Sequence, residues 1–552
     1  MTAFLVENMA PIMFLALIIF LLLGYPAAFS LGAVGLIFGF LGIELGQFQP
    51  DFLQALPDRI YGVMSNETLL AIPFFTFMGL VLERSGMAED LLDTIGQLFG
   101  TVRGGLAYAV IFVGALLAAT TGVVAASVIS MGLISLPIML RYGYDRRVAS
   151  GVIAASGTLA QIIPPSLVLI VMADQLGRSV GDMYEGAFIP GLLLAGLYAL
   201  YTFIITVVFP KHAPGLPAEA IGFREPKGNR GLTSLGILFV VSGVFAWFVM
   251  RNSETHGADY VVLCMFFGII FAFAVAVANW IIARLTSFRF LSHMAQQTTF
   301  VMVPPLFLIF LVLGTIFIGV ATPTEGGAMG ATGALILGAI KRRLSWDLIR
   351  QATESTAKLS SFVVFILIGA RVFSLTFYGV SGHIWVENML VSLPGGQFGF
   401  LIFVNAFVFV LAFFLDFFEL AFIVIPLLGP AAEHLGIDLI WFGVILGVNM
   451  QTSFMHPPFG FALFYLRSVA PRESFIDRVT GRRTEGVTTG QIYWGAVPFV
   501  AIQIIMVLLV ILFPAMVMHY KGSGPKIDIN KVKIELPQVE LPPPLDLGPP
   551  AK

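Results

Sequence analysis

The sequence is short of charge and of cysteine. Of its 552 residues only 11% are charged, and Cys264 is the single cysteine. A soluble protein of this length would have about a quarter of its residues charged, and one cysteine excludes internal disulfides and cysteine-held metals. The formal net charge of -2 argues against nucleic acid as a partner.

Motifs for chemistry are also missing. The sequence contains no Gly-rich phosphate loop, no zinc-ligand spacing and no nucleophile elbow. We therefore expect no enzymatic activity and no cofactor, and a protein driven by an ion gradient instead of ATP. The opening residues carry Glu7 and no Lys or Arg, and no cleavage site follows, which favours a retained helix over a signal peptide.

Apolar residues are abundant. They make up 58% of the chain, the mean hydropathy is +0.93, and apolar runs repeatedly reach the ~20 residues that cross a bilayer. The composition predicts an all-α polytopic membrane protein in contact with lipid. Residues 521–552 are rich in proline and charge, which predicts a disordered tail.

Basic clusters constrain the topology. They lie at 141–147, 211–230, 284–289, 341–343 and 467–483. All are cytoplasmic under the positive-inside rule only if the apolar segments 104–141 and 398–430 each enter and leave on the same side. This predicts about twelve full spans, two re-entrant hairpins and both termini outside, in the periplasm. A topology in which each hairpin is two full spans leaves the basic clusters and both termini on the same sides, because it adds an even number of crossings. That alternative stays open.

An internal duplication supports the two hairpins. From Gly122 to Pro164 is 42 residues and from Asp416 to Pro457 is 41, and a turn proline precedes the two hairpin centres by 96 and 93 residues. Each half would cross the membrane five times, an odd number, so the halves are expected to be inverted. Inverted repeats with discontinuous helices are typical of alternating-access transporters.

The expected domains follow from this duplication. The first inverted repeat covers 1–215 and the second 295–520, while 216–294 is a polar loop with a two-helix insertion. Each repeat would contain one hairpin and one broken helix, and the broken helices are expected at 146–177 and 439–467.

Paired prolines interrupt each broken helix. Proline removes an amide donor, so carbonyls upstream lose their partners and become available as cation ligands. In the first repeat the candidate ion or substrate ligands are Thr120, Thr121, Gly122, Ser156, Gly157, Thr158, Pro164, Pro165 and Ser166. In the second, where we expect the break to run from Asn449 to Pro458, they are Asp416, Asn449, Gln451, Thr452, Ser453, His456, Pro457 and Pro458.

Oxygen ligands of this kind suit a small cation such as sodium. We expect Na+ on Thr121, Gly122, Asp416 and Thr452; the alternative for the hydroxyls is a bond to their own helix. Asp416 is the strongest candidate, because a carboxylate at membrane depth costs at least ~2.5 kcal/mol without a partner. Its alternative is a shallower tip at which it meets water.

Three residues, His456, Glu325 and Arg371, have two interpretations each. His456 could couple protons or hydrogen-bond a carbonyl. Thr324 and Glu325 follow a turn proline, where Glu325 could serve the site or stabilise a helix N-terminus. Arg371, inside an apolar span, is costly unless paired or snorkelling, and it could position an anion or pair with an acidic residue.

Several of these motifs match one family. The matching stretches are Gly132–Pro137 with Arg141–Tyr144, Ala154–Leu159 leading to Ile163–Ser166, Pro323–Glu325, Phe414–Asp416, and Pro457–Pro458 with Gly460. Together they resemble the large membrane subunit (M subunit) of TRAP transporters, the tripartite ATP-independent periplasmic systems. The resemblance covers about residues 8–215 and 295–517, and the insertion at 235–282 resembles a longer subgroup.

The resemblance implies an elevator mechanism and sodium symport in the inner membrane of a bacterium or archaeon. It also implies a periplasmic substrate-binding protein that delivers an organic acid, and a separate small membrane subunit of four helices. The chain departs from the family in having Thr120–Val123 at a tip that is usually Ser-rich, with Ser127 in a usual Asp place. It also has His456 where the family often has Thr, and Ser453 where it often has Gly.

Two other functions stay open at this point. One is a stand-alone sodium- or proton-coupled symporter of dicarboxylates or other anions, with the same broad architecture. The other is a membrane scaffold or receptor subunit that transports nothing. Uptake assays with and without a cognate binding protein distinguish all three.

Overall fold

The structure is a computed structural model that describes residues 2–122, 124–222, 231–253, 258–286, 288–477, 480–481 and 483–519, without the side chains of 119–121 and 258–259. The predicted tail lies outside the described residues. Regular structure in these ranges is helical except for one antiparallel pair of short strands, β1 (Phe475–Ile476) and β2 (Arg483–Thr484).

The α-helices are α1 (Thr2–Glu7), α2 (Met9–Leu22), α3 (Ala27–Glu44), α4 (Leu56–Met64), α5 (Ala71–Arg84), α6 (Met87–Phe99), α7 (Gly105–Thr121), α8 (Val124–Arg141), α9 (Arg146–Thr158), α10 (Leu167–Gln175), α11 (Val180–Val208), α12 (Leu232–Met250), α13 (Ala258–Thr286), α14 (His293–Phe317), α15 (Pro323–Ile340), α16 (Trp346–Gly379), α17 (Gly382–Val391), α18 (Gly396–Leu411), α19 (Phe417–Glu419), α20 (Ile425–His434), α21 (Leu439–Met455), α22 (Phe461–Val469), α23 (Thr489–Leu512) and α24 (Ala515–Met518). A π-helical turn, Leu420–Val424, joins α19 to α20.

The helices have the length and composition of membrane spans. Among the described residues nine helices are long and apolar enough to cross a bilayer, or up to eleven if each of two bent helix pairs counts as one span. Three shorter apolar helices are α2, most of α7, and α21. The chain is therefore a multi-span helical membrane protein, as predicted, while the count of twelve spans stays a prediction.

Helices α9, α10 and α21 form the buried centre. Every residue from 148 to 173 is buried, and so is every residue of α21. Aspartates start two of these helices: the Asp145 side chain accepts hydrogen bonds from the first amides of α9, and Asp438 does the same for α21. Such N-caps satisfy amides that have no partner within the helix.

The insertion lies at the periphery. Only 17% of the spanning segment of α12 and 11% of that of α13 are buried. Helix α12 packs against α13, and α13 packs against α14. The two inserted helices therefore extend one side of the bundle without contributing to its centre.

Candidate functional site

The first break lies in the buried centre. Helix α9 ends at Thr158, a 3-10 turn covers Leu159–Gln161, and α10 begins at Leu167. The bond between Pro164 and Pro165 is cis. The Ser166 hydroxyl donates to the Gln161 carbonyl at 2.8 Å, so this predicted ligand closes the break internally.

The tip of the α7–α8 hairpin lies against this break. Gly122 ends α7 with φ of 58°, and a Cβ at this position would lie 2.8 Å from Leu167 Cγ and 3.3 Å from its amide nitrogen. At Gly157 a Cβ would collide with Val128 on α8. Both positions require glycine because the backbones approach too closely for a side chain. The side chains of Thr120 and Thr121 lie outside the described residues.

A hydrogen-bonded polar cluster surrounds the end of α9. The Thr158 hydroxyl donates to the Ala155 carbonyl at 2.9 Å, which is the bond to its own helix that the alternative interpretation of the hydroxyls predicts. It also accepts from Gln451 Nε2 on α21 at 3.2 Å and from Gln503 Nε2 on α23 at 3.4 Å. Gln503 Nε2 in turn donates to the Tyr198 hydroxyl on α11 at 2.7 Å. Four helices therefore meet through buried polar groups at one point.

Acceptor oxygens in this region lack partners. Ser156 Oγ and the side-chain carbonyl oxygens of Gln161, Gln451 and Gln503 are buried with no hydrogen-bond partner among the described residues. Roughly 90% of buried polar groups in proteins have such a partner. Several unpaired acceptors in a buried region favour a bound cation, because a cation satisfies oxygen atoms that have no donor.

The second break starts later than the sequence suggested. Helix α21 is continuous from Leu439 to Met455, and the chain is non-helical only from His456 to Gly460, with a cis bond between Pro457 and Pro458. The expected interruption from Asn449 to Pro458 was therefore wrong at its start. The hydroxyls of Thr452 and Ser453 are accommodated within α21, because each donates to the carbonyl four residues earlier.

Asp416 caps a helix at the tip of the second hairpin, formed by α18 and the α19–α20 arm. Its carboxylate accepts from the Glu419 amide at 2.8 Å, and the Glu419 carboxylate accepts from the Asp416 amide at 2.9 Å. This reciprocal capping box gives both carboxylates a structural role. The Na+ set that includes Asp416 stays a prediction.

Aromatic rings connect the second hairpin to the second break. The His456 ring lies 5.3 Å from that of Phe409 and 4.9 Å from that of Phe413, and Phe413 and Phe414 contact Phe459. His456 Nδ1 is buried without a hydrogen-bond partner among the described residues. Asn449 Nδ2 donates to the Asn405 carbonyl on α18 at 2.7 Å. Each hairpin tip thus meets the break of its own half.

The remaining predicted residues lie elsewhere. Thr324 donates to the Glu67 carbonyl at 2.6 Å, and Glu325 forms a capping box with Thr322 at the start of α15. Arg371 lines a cavity of ≈ 550 Å³ between α16, α10 and α20. Sequence reasoning missed Gln161 and Gln503; the available signal was an amide side chain inside an otherwise apolar run.

Broken helices that meet helical hairpins in the buried centre of an apolar bundle are typical of membrane transporters. The chain belongs to the family described as "Tripartite ATP-independent periplasmic transporter, DctM component", which matches residues 14–516. It is the large permease subunit of a TRAP transporter, which confirms the resemblance seen in the motifs and disfavours both rival functions.

Individual relatives agree with this assignment. The C4-dicarboxylate TRAP transporter large permease protein DctM of Pseudomonas aeruginosa is 27% identical over 473 residues, which are 85% of this chain and 89% of that one. The isethionate TRAP transporter permease protein DctMQ of Oleidesulfovibrio alaskensis is 24% identical, over 93% of this chain and 66% of that one. The crystal structure of the YdaH transporter of Alcanivorax borkumensis has a similar fold, with a TM-score of 0.51 at 14% identity, covering 87% of this chain and 91% of that one.

Proposed function

We propose that this subunit couples sodium entry to the import of an organic acid across the inner membrane of a bacterium or archaeon. The observation that carries the proposal is a set of four acceptor oxygens without partners in the buried centre, on Ser156, Gln161, Gln451 and Gln503. The last two belong to side chains that contact Thr158. A monovalent cation held there would occupy the point at which α9, α11, α21 and α23 meet. The relatives named for C4-dicarboxylates and isethionate support an organic acid as the cargo.

We propose that the two halves are inverted repeats, with reciprocal helix contacts as support. Helix α3 packs against α16 while α5 packs against α15, α9 packs against α23 while α21 packs against α11, and α8 packs against α22 while α20 packs against α10. Suppose that α3, α5, α8, α9–α10 and α11 correspond to α15, α16, α20, α21–α22 and α23. Each contact named above is then converted into its partner contact by one internal two-fold axis. The order of the elements along the two halves agrees with this correspondence.

Both hairpins are proposed to be re-entrant. Each tip lies beside a break, and α10 and α22, which follow the breaks, have nine residues each. At 1.5 Å per residue this leaves about 13 Å of half-helix beyond each tip. Counting α9–α10 and α21–α22 as one span each then gives twelve spans with α2, α3, α5, α11 to α16 and α23.

Contacts between basic segments support a common cytoplasmic side. Arg141 forms an ion pair with Asp477 at 2.9 Å, and Arg146 pairs with Glu485 at 3.1 Å. The Arg141 guanidinium holds the pKa of the Asp477 carboxyl well below its usual range. The segments around 141–147 and 470–487 therefore share one face, and the proposed topology assigns both termini to the opposite, periplasmic face.

The hairpins and broken helices would form a mobile transport domain, and the other spans a scaffold, in an elevator mechanism. A periplasmic binding protein would deliver the acid, and a small four-helix membrane subunit would complete the system. The DctMQ relative extends beyond the matched region by about a third of its length. For this chain we propose a separate small subunit.

Sodium coupling is tested without knowing the cargo. The thermal midpoint of unfolding of the purified protein is measured in NaCl and in choline chloride at equal ionic strength. A ligand that binds only the folded state raises this midpoint. We expect NaCl to raise the midpoint, and Gln161→Leu to reduce this increment without lowering the midpoint in choline. Asp416→Asn keeps an oxygen that can cap the helix but loses the negative charge. If this variant has a normal thermal midpoint in choline and a smaller rise in NaCl, the Asp416 carboxylate is a sodium ligand.

The matched control is Gln54→Leu, since Gln54 is exposed and lies outside the central cluster. An unchanged sodium increment in Gln161→Leu, or no increment in the unmodified protein, would contradict the proposed site. Proteoliposomes with an inward sodium gradient should then take up the acid only when the loaded binding protein is present.

A further inference from the structure

A side-chain hydrogen bond joins the proposed scaffold to the proposed transport domain. Asn66 lies just before the 3-10 turn Thr68–Leu70 that leads into α5, and Asp174 lies in the last turn of α10. Although 108 positions separate them in the chain, Asn66 Nδ2 donates to Asp174 Oδ1 at 2.8 Å. Since α5 is a scaffold span and α10 is half of a broken helix, the bond crosses the interface, at the ends that the proposed topology assigns to the periplasm.

The scaffold fixes the position of the donor. The Asn66 side-chain carbonyl accepts from the amides of Thr68 at 3.0 Å and Leu69 at 3.4 Å, so its NH2 group is the part left to donate. At the next residue, Thr324 of α15 donates to the Glu67 carbonyl at 2.6 Å. Helix α15 also packs against α5. The turn that carries Asn66 is therefore held by a second scaffold helix.

The transport domain supplies an acceptor that needs a donor. The Asp174 carboxylate lies at the C-terminal end of α10, where the helix dipole disfavours a negative charge. Its second oxygen accepts from Gln175 Nε2 at 2.7 Å, while Oδ1 is the oxygen to which Asn66 donates. Hydrogen bonds to a charged group are roughly twice as strong as neutral ones. The bond to Asn66 therefore stabilises the position of α10 relative to the scaffold.

The bond lies beside open space. A cavity of ≈ 390 Å³ is lined by Thr68 and Asp174, by Ala321 and Pro323 at the α14–α15 junction, and by the α10–α11 turn at Gly177–Gly181. Because both bonded side chains are only half-buried, water can replace each partner when the two separate. A displacement of about 13 Å, the length of one half-helix, is longer than these short side chains can bridge. The bond can therefore exist at one end of such a movement and not at the other.

We propose that the Asn66–Asp174 bond is a latch that holds the transport domain in the position of this structure and opens when the domain moves to its other position. The proposal rests on the proposed function, from which it takes the division into scaffold and transport domain. It adds the residues that control how long the domain stays in one position. A bond that exists in one of two states shifts their populations by the free energy that it contributes to that state alone.

The latch is tested by measuring a distance, which requires no cargo. In a Cys264→Ser background, spin labels are attached at Gln49→Cys on the scaffold and at Asp182→Cys on the transport domain, both exposed positions. Double electron–electron resonance then gives the distances between the labels in the full-length subunit in lipid nanodiscs. Asn66→Asp keeps an oxygen that can cap its own turn but places a second carboxylate against Asp174. We expect this variant to lower the population at the distance of this structure, relative to all other distances, by about tenfold, as loss of one bond to a charged group predicts.

Exchanging the two side chains should restore the latch. In Asn66→Asp/Asp174→Asn the carboxylate and the amide change places, so the double variant should recover most of the population that Asn66→Asp loses. Asn66→Ser removes the bond without adding a charge, because serine can still cap the turn but is too short to reach Asp174. The matched control is Asn252→Asp, which adds the same charge at an exposed scaffold position and should leave the distances unchanged. The thermal midpoint of unfolding in choline chloride shows whether each variant is folded.

An unchanged distance distribution in Asn66→Asp and Asn66→Ser would overturn the latch. So would a double variant that is no closer to the unmodified protein than Asn66→Asp is, or an unmodified protein that lacks the distance of this structure. If the distances respond as expected while NaCl does not raise the thermal midpoint, the latch stands and the proposed sodium coupling fails.

Discussion

Thr158 is the residue on which the centre of the molecule depends. Its single hydroxyl oxygen accepts hydrogen bonds from two amides, on α21 and on α23, while its proton goes to its own helix. A residue with one polar atom thus joins parts of the chain separated by 293 and 345 positions. The Thr158 hydroxyl therefore has a structural role. A cation bound nearby would contact the amide oxygens of Gln451 and Gln503, whose side chains Thr158 positions.

Replacing Thr158 by valine should therefore destabilise the fold. Valine keeps the shape but leaves the Gln451 amide without its acceptor, while the Gln503 amide keeps only the Tyr198 hydroxyl. An unsatisfied buried donor costs about 1–3 kcal/mol. We expect a lower thermal midpoint in detergent. Thr353→Val is the matched control, because the exposed Thr353 hydroxyl bonds only to its own helix. Equal midpoints for the two variants would contradict the role given to Thr158.

The residues that sequence reasoning missed share one physical feature. Gln161 and Gln503 are single amides in apolar runs. The turn that contains Gln161 packs against α7 and α21, and Gln503 bonds to Tyr198, so the neighbours come from distant segments. No periodicity or spacing along the chain can indicate such a partner. Proline pairs and glycines, in contrast, act through the local backbone, which is why the breaks and the hairpin turn at Gly122 were predictable.

At the scale of elements, the hairpins are matched to the breaks by close contact. The first tip reaches α10 through glycine, and the second reaches its break through aromatic rings. The predicted extent of the second break was wrong because polar residues were taken as a sign of broken helix. A helix tolerates Thr452 and Ser453 through bonds to its own carbonyls, and only the paired prolines end it.

Two glycines with similar backbone angles allow the effect of the hairpin-tip contact to be distinguished from the effect of backbone strain in a turn. Gly122→Ala and Gly143→Ala both put a side chain at positive φ, +58° and +81°, at a cost of roughly 1–2 kcal/mol. Only at Gly122 does the new Cβ meet a neighbour, Leu167, whereas nothing lies within 4 Å at Gly143. We expect both variants to lose thermal stability and only Gly122→Ala to lose sodium-driven uptake beyond that.

Uptake assays on the two variants, normalised to folded protein, are the measurement. Equal specific activity in Gly122→Ala and Gly143→Ala would mean that the seating of the first hairpin tip does not matter for transport.

At the scale of the whole molecule, composition was sufficient to predict a helical membrane protein, and the motifs around the proline pairs and Asp416 were needed to indicate its family. The insertion was recognisable as two extra helices, but only the structure shows that they lie at the edge, against α14. Their apolar sequences do not differ from those of central helices, and burial among other helices leaves little compositional trace in a membrane.

The topology can be tested through the scarcity of cysteine. In a Cys264→Ser background, we expect a membrane-impermeant maleimide to label Gln49→Cys in intact spheroplasts and to label Lys211→Cys only after permeabilisation. Both positions are exposed, and the proposed topology puts them on opposite faces. Labelling in the reverse order would invert the molecule and move the cavity lined by Arg371 to the cytoplasmic side.

In the proposed elevator mechanism, the equal length of α10 and α22 would set the distance that the cargo has to travel. With nine residues beyond each break, the two half-helices, pointing to opposite faces in the proposed fold, divide the barrier into similar halves of about 13 Å. A displacement of that order would be enough to transfer a bound acid from one aqueous side to the other. The displacement of the transport domain would thus be set by the positions of Pro164, Pro165, Pro457 and Pro458 in the chain.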